Sequence, residues 1–336
     1  MKTYSDAGVD FDRKDIFLSE LLKQIKFERS KFSPFIGTGH YSALVNFNNY
    51  LLAINTDGVG TKMLIADEMQ RWDTVGIDAI AMNVNDTICV GAEPFAFVDY
   101  LIIRDYDLKK ARDIGKSLNK GAKDANISIV GGETAVMPDM VNGTDLSGTA
   151  LGYVKKGKEI TGKKIKNGDL IIALKSSGLH SNGFTLVRKI LKEHNINLNE
   201  KFGSRKIGDV LLTPTKIYVK PVLDLIKKSN VNGLANITGG GLRNLVRLSK
   251  MKFVIDNIIE PQKIFKFIQD LENIDPKEMY QTFNMGMGFM IIAPENEENK
   301  LKEILKKHSV EHKVVGYVTQ GKGVYLEEFK VSYERY

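Results

Sequence analysis

The chain has 336 residues, 43 % of them apolar and 26 % charged. That length suggests about two domains, and the composition excludes disorder as the main state. Forty-eight Lys and Arg against 41 Asp and Glu give a net charge of +7. The single cysteine, Cys89, excludes an internal disulfide and any Cys-rich zinc or iron–sulfur site. The five histidines form no HExxH pattern, so a metal here has to be a hard cation on carboxylates. No apolar run approaches the ~20 residues that span a bilayer. The opening MKTYSDAGVDFDRKD has no apolar core and carries Asp6, Asp10, Asp12 and Asp15. No membrane partner, no secretory signal and a cytoplasmic location are therefore expected. The basic residues are spread out. The densest run, Lys155 to Lys166, has no interleaved aromatics and reads as a solvated connector, so no nucleic-acid partner is expected.

In chain order, Ile16, Leu21, Leu22 and Ile25 predict a helix over 13–25, and 33–39 reads as a loop. Residues 50–55 read as a strand entering the turn Asp57-Gly58-Val59-Gly60. The stripe Ile77, Ile80, Ala81, Val84 and Ile88 predicts a helix over 73–90, capped by Asp73 and ended by Gly91. A strand over 95–103, an amphipathic helix over 108–125 and buried strands over 127–130 and 146–154 follow. The lysine-rich stretch with Gly157, Gly162 and Gly168 marks a boundary between domains at 1–160 and 168–336. Beyond it come a strand over 170–174 and helices over 184–194 and 215–229, the latter with Pro221 marking a kink or a displaced start. Residues 235–238 lead into Gly239-Gly240-Gly241 and a short helix. Strands over 253–256 and 289–293 bracket two helical patterns. A charged helix over 297–308 and strands over 313–318 and 324–328 close the chain. Both halves mix strands and helices without regular βαβ alternation, an α/β fold with mixed sheets in two domains.

The first chemical motif is Asn55-Thr56-Asp57-Gly58-Val59-Gly60-Thr61-Lys62. Gly58 and Gly60 let backbone N–H groups approach a phosphate, Thr61 adds a hydroxyl, Lys62 can neutralise the phosphate and Asp57 can hold Mg2+. A solvated glycine turn explains the same residues equally well, and the spacing is not that of a Walker A loop. Asn83-Val84-Asn85-Asp86 interrupts an apolar stripe, which is costly unless those groups are satisfied; a metal or phosphate would satisfy Asp86, and so would an exposed helix face. Gly131-Gly132-Glu133-Thr134 sets another acid in a glycine-rich, strand-ending loop. Asp57, Asp86 and Glu133 can converge on a cation, and three acids suit more than one ion. In the second half, Ser176-Ser177-Gly178-Leu179-His180-Ser181-Asn182-Gly183 precedes a helix, and Thr238-Gly239-Gly240-Gly241 repeats the arrangement. Two such loops in one domain point to a phosphorylated ligand, although each alone reads as an N-cap with turn glycines. Asn284-Met285-Gly286-Met287-Gly288 is either a third contact or a close-packed strand. His180 can transfer protons near neutral pH or order its own loop.

These residues carry a resemblance to the phosphoribosylformylglycinamidine cyclo-ligase (AIR synthetase) family. It runs through YSDAGVD (4–10), TDGVGTK (56–62), DTVGIDAIAMNVNDTICVGAEPFAFVDY (73–100), VGGETAVMP (130–138), SSGLHSNGFTLVRKIL (176–191), LLTPTKIYVKPVL (211–223), ITGGG (237–241) and MYQTFNMGMG (279–288). The glycine–acid motifs are shared more loosely with thiamine-monophosphate kinase and selenophosphate synthetase; YSDAGVD and SSGLHSNG resemble the cyclo-ligases specifically. Residues 37–44 depart from the family's early glycine loop. Met285 stands where some members have cysteine, so no thiol is needed there.

The resemblance implies an N-terminal dimerising ATP-binding domain, a homodimer, and a C-terminal α/β domain. It implies ATP and Mg2+ as cofactors and a ribonucleotide substrate. The implied reaction is ATP-dependent closure of formylglycinamidine ribonucleotide to aminoimidazole ribonucleotide in purine biosynthesis. ATP is assigned to Asp57, Gly58, Gly60, Thr61, Lys62, Gly131 and Gly132. Mg2+ is assigned to Asp57, Asp86 and Glu133. The substrate is assigned to Ser176, Ser177, Gly178, His180, Ser181, Asn182 and Gly239 to Gly241, with His180 and Lys62 in catalysis. A superfamily kinase that phosphorylates a small substrate without ring closure is the alternative enzyme. A non-catalytic partner subunit that keeps the fold is the alternative outside enzymes.

Overall fold

A computed structural model describes Gly8, residues 11–37 and residues 39–335. The YSDAGVD segment, Gly8 apart, and Thr38 of the 37–44 loop lie outside the described residues. The first half contains α1 (Phe11–Gln24), β1 (Pro34–Ile36), β2 (Ala43–Phe47), β3 (Tyr50–Gly58), α2 (Lys62–Glu68), α3 (Val75–Cys89), β4 (Glu93–Ile103), α4 (Leu108–Ala125), β5 (Ser128–Val136) and β6 (Asp145–Lys155). Its six strands form one sheet in the order β1-β2-β3-β6-β4-β5. All neighbours are antiparallel except β4 and β5, which α4 joins as a crossover.

The second half contains β7 (Leu170–Lys175), α5 (Phe184–Glu193), β8 (Lys201–Phe202), β9 (Arg205–Lys206), α6 (Ile207–Leu211), α7 (Val219–Lys228), β10 (Gly233–Asn236), β11 (Lys252–Ile255), α8 (Lys263–Glu272), α9 (Pro276–Thr282), β12 (Met287–Ala293), α10 (Glu298–Lys307), β13 (His312–Thr319), β14 (Gly323–Leu326) and β15 (Val331–Tyr333). Seven of these strands form a mixed sheet in the order β10-β12-β7-β13-β11-β14-β15, with only β11 and β14 parallel. The mixed α/β class read from the sequence is the observed one.

Strand alternation sets the burial of the first sheet. On β6, Leu146, Ala150 and Val154 are buried while Tyr153 faces outward. Helix α3 lies across the inner face of β3, β6 and β4 and against α4. The opposite face carries exposed Tyr50, Ile54, Phe95, Val98, Tyr100 and Tyr153. The main buried apolar cluster is continuous from Trp72 and Phe97 of the first half to Phe184, Phe253 and Phe289 of the second.

Several predicted boundaries change. Asp73 does not cap α3; the helix starts at Val75 after Thr74, and Asp73 pairs with Arg71 instead. Helix α7 starts at Val219, which puts Pro221 in its first turn, where a missing N–H costs nothing. The short helix after Gly240 is a 3₁₀ helix, Gly241–Arg247. The segment 127–130 is neither buried nor ended by a glycine turn. β5 pairs with β4 through Gly131 and Gly132 as far as Val136, and it is exposed along nearly its whole length. In the connector all six lysines are exposed, while Ile160 and Ile165 are buried and Ile160 N–H donates to Val90 C=O at 3.0 Å.

Candidate active site

Strand β3 carries Thr56, Asp57 and Gly58 to the sheet's end. Asp57 accepts its neighbour's amide, Gly58 N–H, at 2.8 Å. The chain then turns through Gly60, at φ +69°, into α2. The interruption Asn83-Val84-Asn85-Asp86 in α3 is satisfied by protein. Asn83 Nδ2 donates to Asp57 C=O at 3.1 Å and Ala79 C=O at 2.9 Å. Asn85 reaches the second half, donating to Lys216 C=O at 2.8 Å and accepting Tyr218 N–H at 3.0 Å. Asp86 accepts from Asn236 Nδ2 of β10 at 2.8 Å.

Asp57 and Asp86 are neighbours and both are raised in pKa. Burial lifts Asp57, opposed by the Gly58 amide and the charge of Lys14. Burial and then the Asp57 charge push Asp86 up to about 7, opposed by Asn236 and Arg247. Glu133 does not join them: it sits mid-strand on exposed β5, opposite Tyr100. Among the described residues no three His, Cys, Asp or Glu side chains cluster around one metal position. The convergence of three acids within one chain is therefore not observed. Gly131 and Gly132 lie in the same exposed strand, opposite Val98 and Asp99.

Lys62 also departs from expectation. Its ammonium is fully buried and lies 3.0 and 2.8 Å from the two oxygens of Asp78. It donates further to the carbonyls of His180, at 3.0 Å, and Thr213, at 2.8 Å. Three acceptors use all three ammonium protons, so none is left for a phosphate.

The second-half loops do converge. Asn284 Nδ2 donates to Gly178 C=O at 2.9 Å, and Ser176 N–H donates to Gly286 C=O at 2.9 Å. A Cβ on Gly288 would lie 2.6 Å from the His180 ring and 2.3 Å from Tyr218 Oη. A Cβ on Gly239 would meet Asn182 Oδ1 at 2.9 Å, which sets loop 176–183 against loop 238–241. Asn182 Nδ2 has no partner among the described residues. Ser177 donates to Pro214 C=O at 2.6 Å, and Ser181 shares a hydrogen bond with Thr215 at 3.1 Å.

His180 is 2 % exposed, and its Nε2 accepts Ser177 N–H at 3.3 Å. Burial, then the charges of Lys62 and Lys216, push its pKa down to about 3. Burial and the two cations favour the neutral imidazole, which accepts from its own loop. Helix α5 starts after Gly183, whereas the helix after Gly240 is a 3₁₀ helix of 7 residues.

Sequence reading misses Asp78, Thr213, Thr215, Asn236 and Gln262, whose Nε2 donates to Ser176 C=O at 2.7 Å. Asp78 alone left a signal: it stands seven residues before Asn85 and eight before Asp86, on one face of a helix.

Two sequence profiles match the chain: AIR synthase related protein, N-terminal domain, over 39–154, and the corresponding C-terminal domain over 166–328. The phosphoribosylformylglycinamidine cyclo-ligase of Methanocaldococcus jannaschii is 50 % identical over 95 % of this chain and 92 % of its own length. Among solved structures, thiamine-monophosphate kinase from Stenotrophomonas maltophilia is similar at a TM-score of 0.66 and 18 % identity, covering 90 % of this chain and 93 % of that one. A hydrogenase maturation protein HypE in complex with ATP is similar at 0.59 and 18 %, covering 82 % and 81 %. At those identities the solved structures establish the fold, whereas the near-full-length relative and the two profiles establish the family. The chain belongs to the phosphoribosylformylglycinamidine cyclo-ligase family.

Proposed function

We propose that the chain closes the imidazole ring of aminoimidazole ribonucleotide from formylglycinamidine ribonucleotide, with ATP going to ADP and phosphate. ATP phosphorylates the formyl oxygen, the amidine nitrogen attacks that carbon, and the oxygen leaves as phosphate. The chemistry is mostly positioning and charge neutralisation, which suits a site of loops, amides and acids without a covalent nucleophile. The reading rests on one observation: the acid-and-glycine loop of the first half touches the first turn of α5, directly after the hydroxyl-and-amide loop of the second, with Thr61 and Thr185 hydroxyls 3.0 Å apart. A phosphoryl donor at one and an amide acceptor at the other would be adjacent. On this reading Asp57, Gly58, Gly60 and Thr61 face ATP. Ser176, Ser177, Gly178, Ser181, Asn182 and Gly239 to Gly241 face the ribonucleotide. The domains divide in the connector between 160 and 168, and the enzyme works in the cytoplasm.

Two half-buried, mutually repelling carboxylates lack the positive charge that a divalent cation supplies, so Asp57 and Asp86 fit Mg2+. Mg2+ there would neutralise charge on the transferring phosphate. Glu133 would act only if a second subunit brought it near. The outer face of the first sheet supports a homodimer. Tyr153 stacks edge-on with Tyr50 and Phe95 at 5.8 and 5.9 Å, exposed beside Ile54, Val98 and Tyr100.

Incubation with ATP and formylglycinamidine ribonucleotide, read by mass spectrometry, tests the reading. Product that has lost water supports it. A stable phosphorylated product would favour the kinase alternative, and no substrate-dependent ADP would favour a non-catalytic subunit.

A further inference from the structure

Lys62 is the first residue of α2, directly after the glycine loop of the first half. Its partners lie far along the chain: His180 is 118 residues away and Thr213 is 151 away. The anchor is Asp78 in the first turn of α3, fully buried like Lys62. Asp78 Oδ1 also accepts Thr215 N–H at 2.7 Å and Thr215 Oγ1 at 2.6 Å. Thr215 in turn bonds Ser181, and the residue before Lys62, Thr61, bonds Thr185. The carbonyl that Lys62 holds belongs to His180, a non-glycine residue at φ +64°. That left-handed conformation is disfavoured on its own, and without the ammonium the carbonyl would be buried with a lost donor.

We propose that Lys62, anchored by Asp78, is a positioning residue that fixes the left-handed turn at His180 and so locks the 176–183 loop to the glycine loop of the first half. It touches neither ligand. The loop it holds presents Asn182 beside Gly239, so the pin sets the shape of the substrate subsite from the neighbouring half. This rests on the reading that loop 176–183 faces the ribonucleotide. It differs from a phosphate-neutralising lysine, because the ammonium has no proton to spare.

The test uses Lys62→Met and the charge-neutral double variant Lys62→Met with Asp78→Asn; the second keeps the question open should an unpaired Asp78 prevent folding. Two readouts are taken on the full-length protein. Hydrogen exchange of the 177–183 amides, without ligand, should accelerate by about tenfold or more, the equivalent of one lost hydrogen bond. The ribonucleotide KM should rise about tenfold, with the ATP KM changed less than about threefold. Unchanged exchange overturns the pin whatever the loop binds. A rise in ATP KM alone would return Lys62 to the phosphates and overturn it as well. Asn182→Ala is measured in parallel: if it leaves the ribonucleotide KM unchanged, the reading of the loop fails, while the exchange result still decides the pin.

Discussion

Asn236 Nδ2 donates to Asp86 Oδ1 at 2.8 Å, so an acid on a helix of the first half is held by a strand of the second. The carboxylate is thus fixed, although burial and Asp57 both disfavour its charge. Asp86→Asn keeps an oxygen to accept from Asn236 and removes the repulsion with Asp57. We expect it to melt no lower than the parent while losing activity by about 10²-fold, typical of removing one preorganised electrostatic contact. Thermal melting and turnover at saturating Mg2+ check this together. Near-normal turnover would remove Asp86 from the reaction.

The fold is most legible where one segment decides its own structure. Helix α4 has the bounds read from its periodicity, 108–125. Asp107 caps it by accepting Lys109 N–H at 2.7 Å and Lys110 N–H at 3.1 Å, and Asn126 ends it at φ +57°. β5 is misread because its apolar run and two glycines look like a buried strand and a turn. Its length is instead set by pairing with β4, and as the edge strand of the sheet it stays exposed. In the site, Asp57 and Asp86 are visible as acids out of place in apolar or glycine contexts. The role of Lys62 is not, since its partners come from over a hundred residues away. Residue type suggests a phosphate ligand there, and only tertiary contact shows the protons already taken.

The outer face of the first sheet offers a second test. An apolar, aromatic strand face of this kind is normally covered. We expect sedimentation to give twice the chain mass of 37.6 kDa at micromolar concentration. Val98→Asp, 38 % exposed and central on β4, should shift the population to monomer without unfolding it. A dimer that withstands Val98→Asp and Tyr153→Asp together would have to join elsewhere.

His180 gives a pH signature. Its pKa is about 3 in the folded chain against 6.5 unfolded, with burial as the main cause and Lys62 and Lys216 adding to it. Between those values the unfolded chain binds a proton that the native one refuses. Its contribution to stability is therefore complete above about pH 6.5 and lost as pH falls towards 3. The loss between pH 7 and pH 5 is about 2 kcal/mol. His40, pushed down to about 4 mainly by burial and then by Arg247, acts in the same direction. Raised Asp57 and Asp86 act in the opposite direction, so the comparison has to be differential. Urea unfolding at pH 7 and pH 5 should show a smaller acid loss in His180→Gln than in the parent. Equal losses would mean that His180 is protonated in the native state.

Gly239 separates ligand recognition from folding. Its φ lies outside the left-handed region, so alanine fits the backbone there, unlike at Gly240 or Gly241, at φ +107° and +51°. The close atoms that a Cβ would meet belong to the Asn182 carboxamide, with Oδ1 at 2.9 Å and Cγ at 3.7 Å. A side-chain end can rotate away, so Gly239→Ala should cost little stability. The rotation, however, withdraws the amide whose Nδ2 has no partner among the described residues. If that amide serves the ribonucleotide, Gly239→Ala should raise the ribonucleotide KM by about tenfold, one hydrogen bond's worth, with the melting temperature and the ATP KM unchanged. Combining it with Asn182→Ala should add nothing further, because both changes remove the same contact. Additive effects would mean that the Gly239 backbone itself touches the ligand, and a rise confined to the ATP KM would assign this loop to the nucleotide.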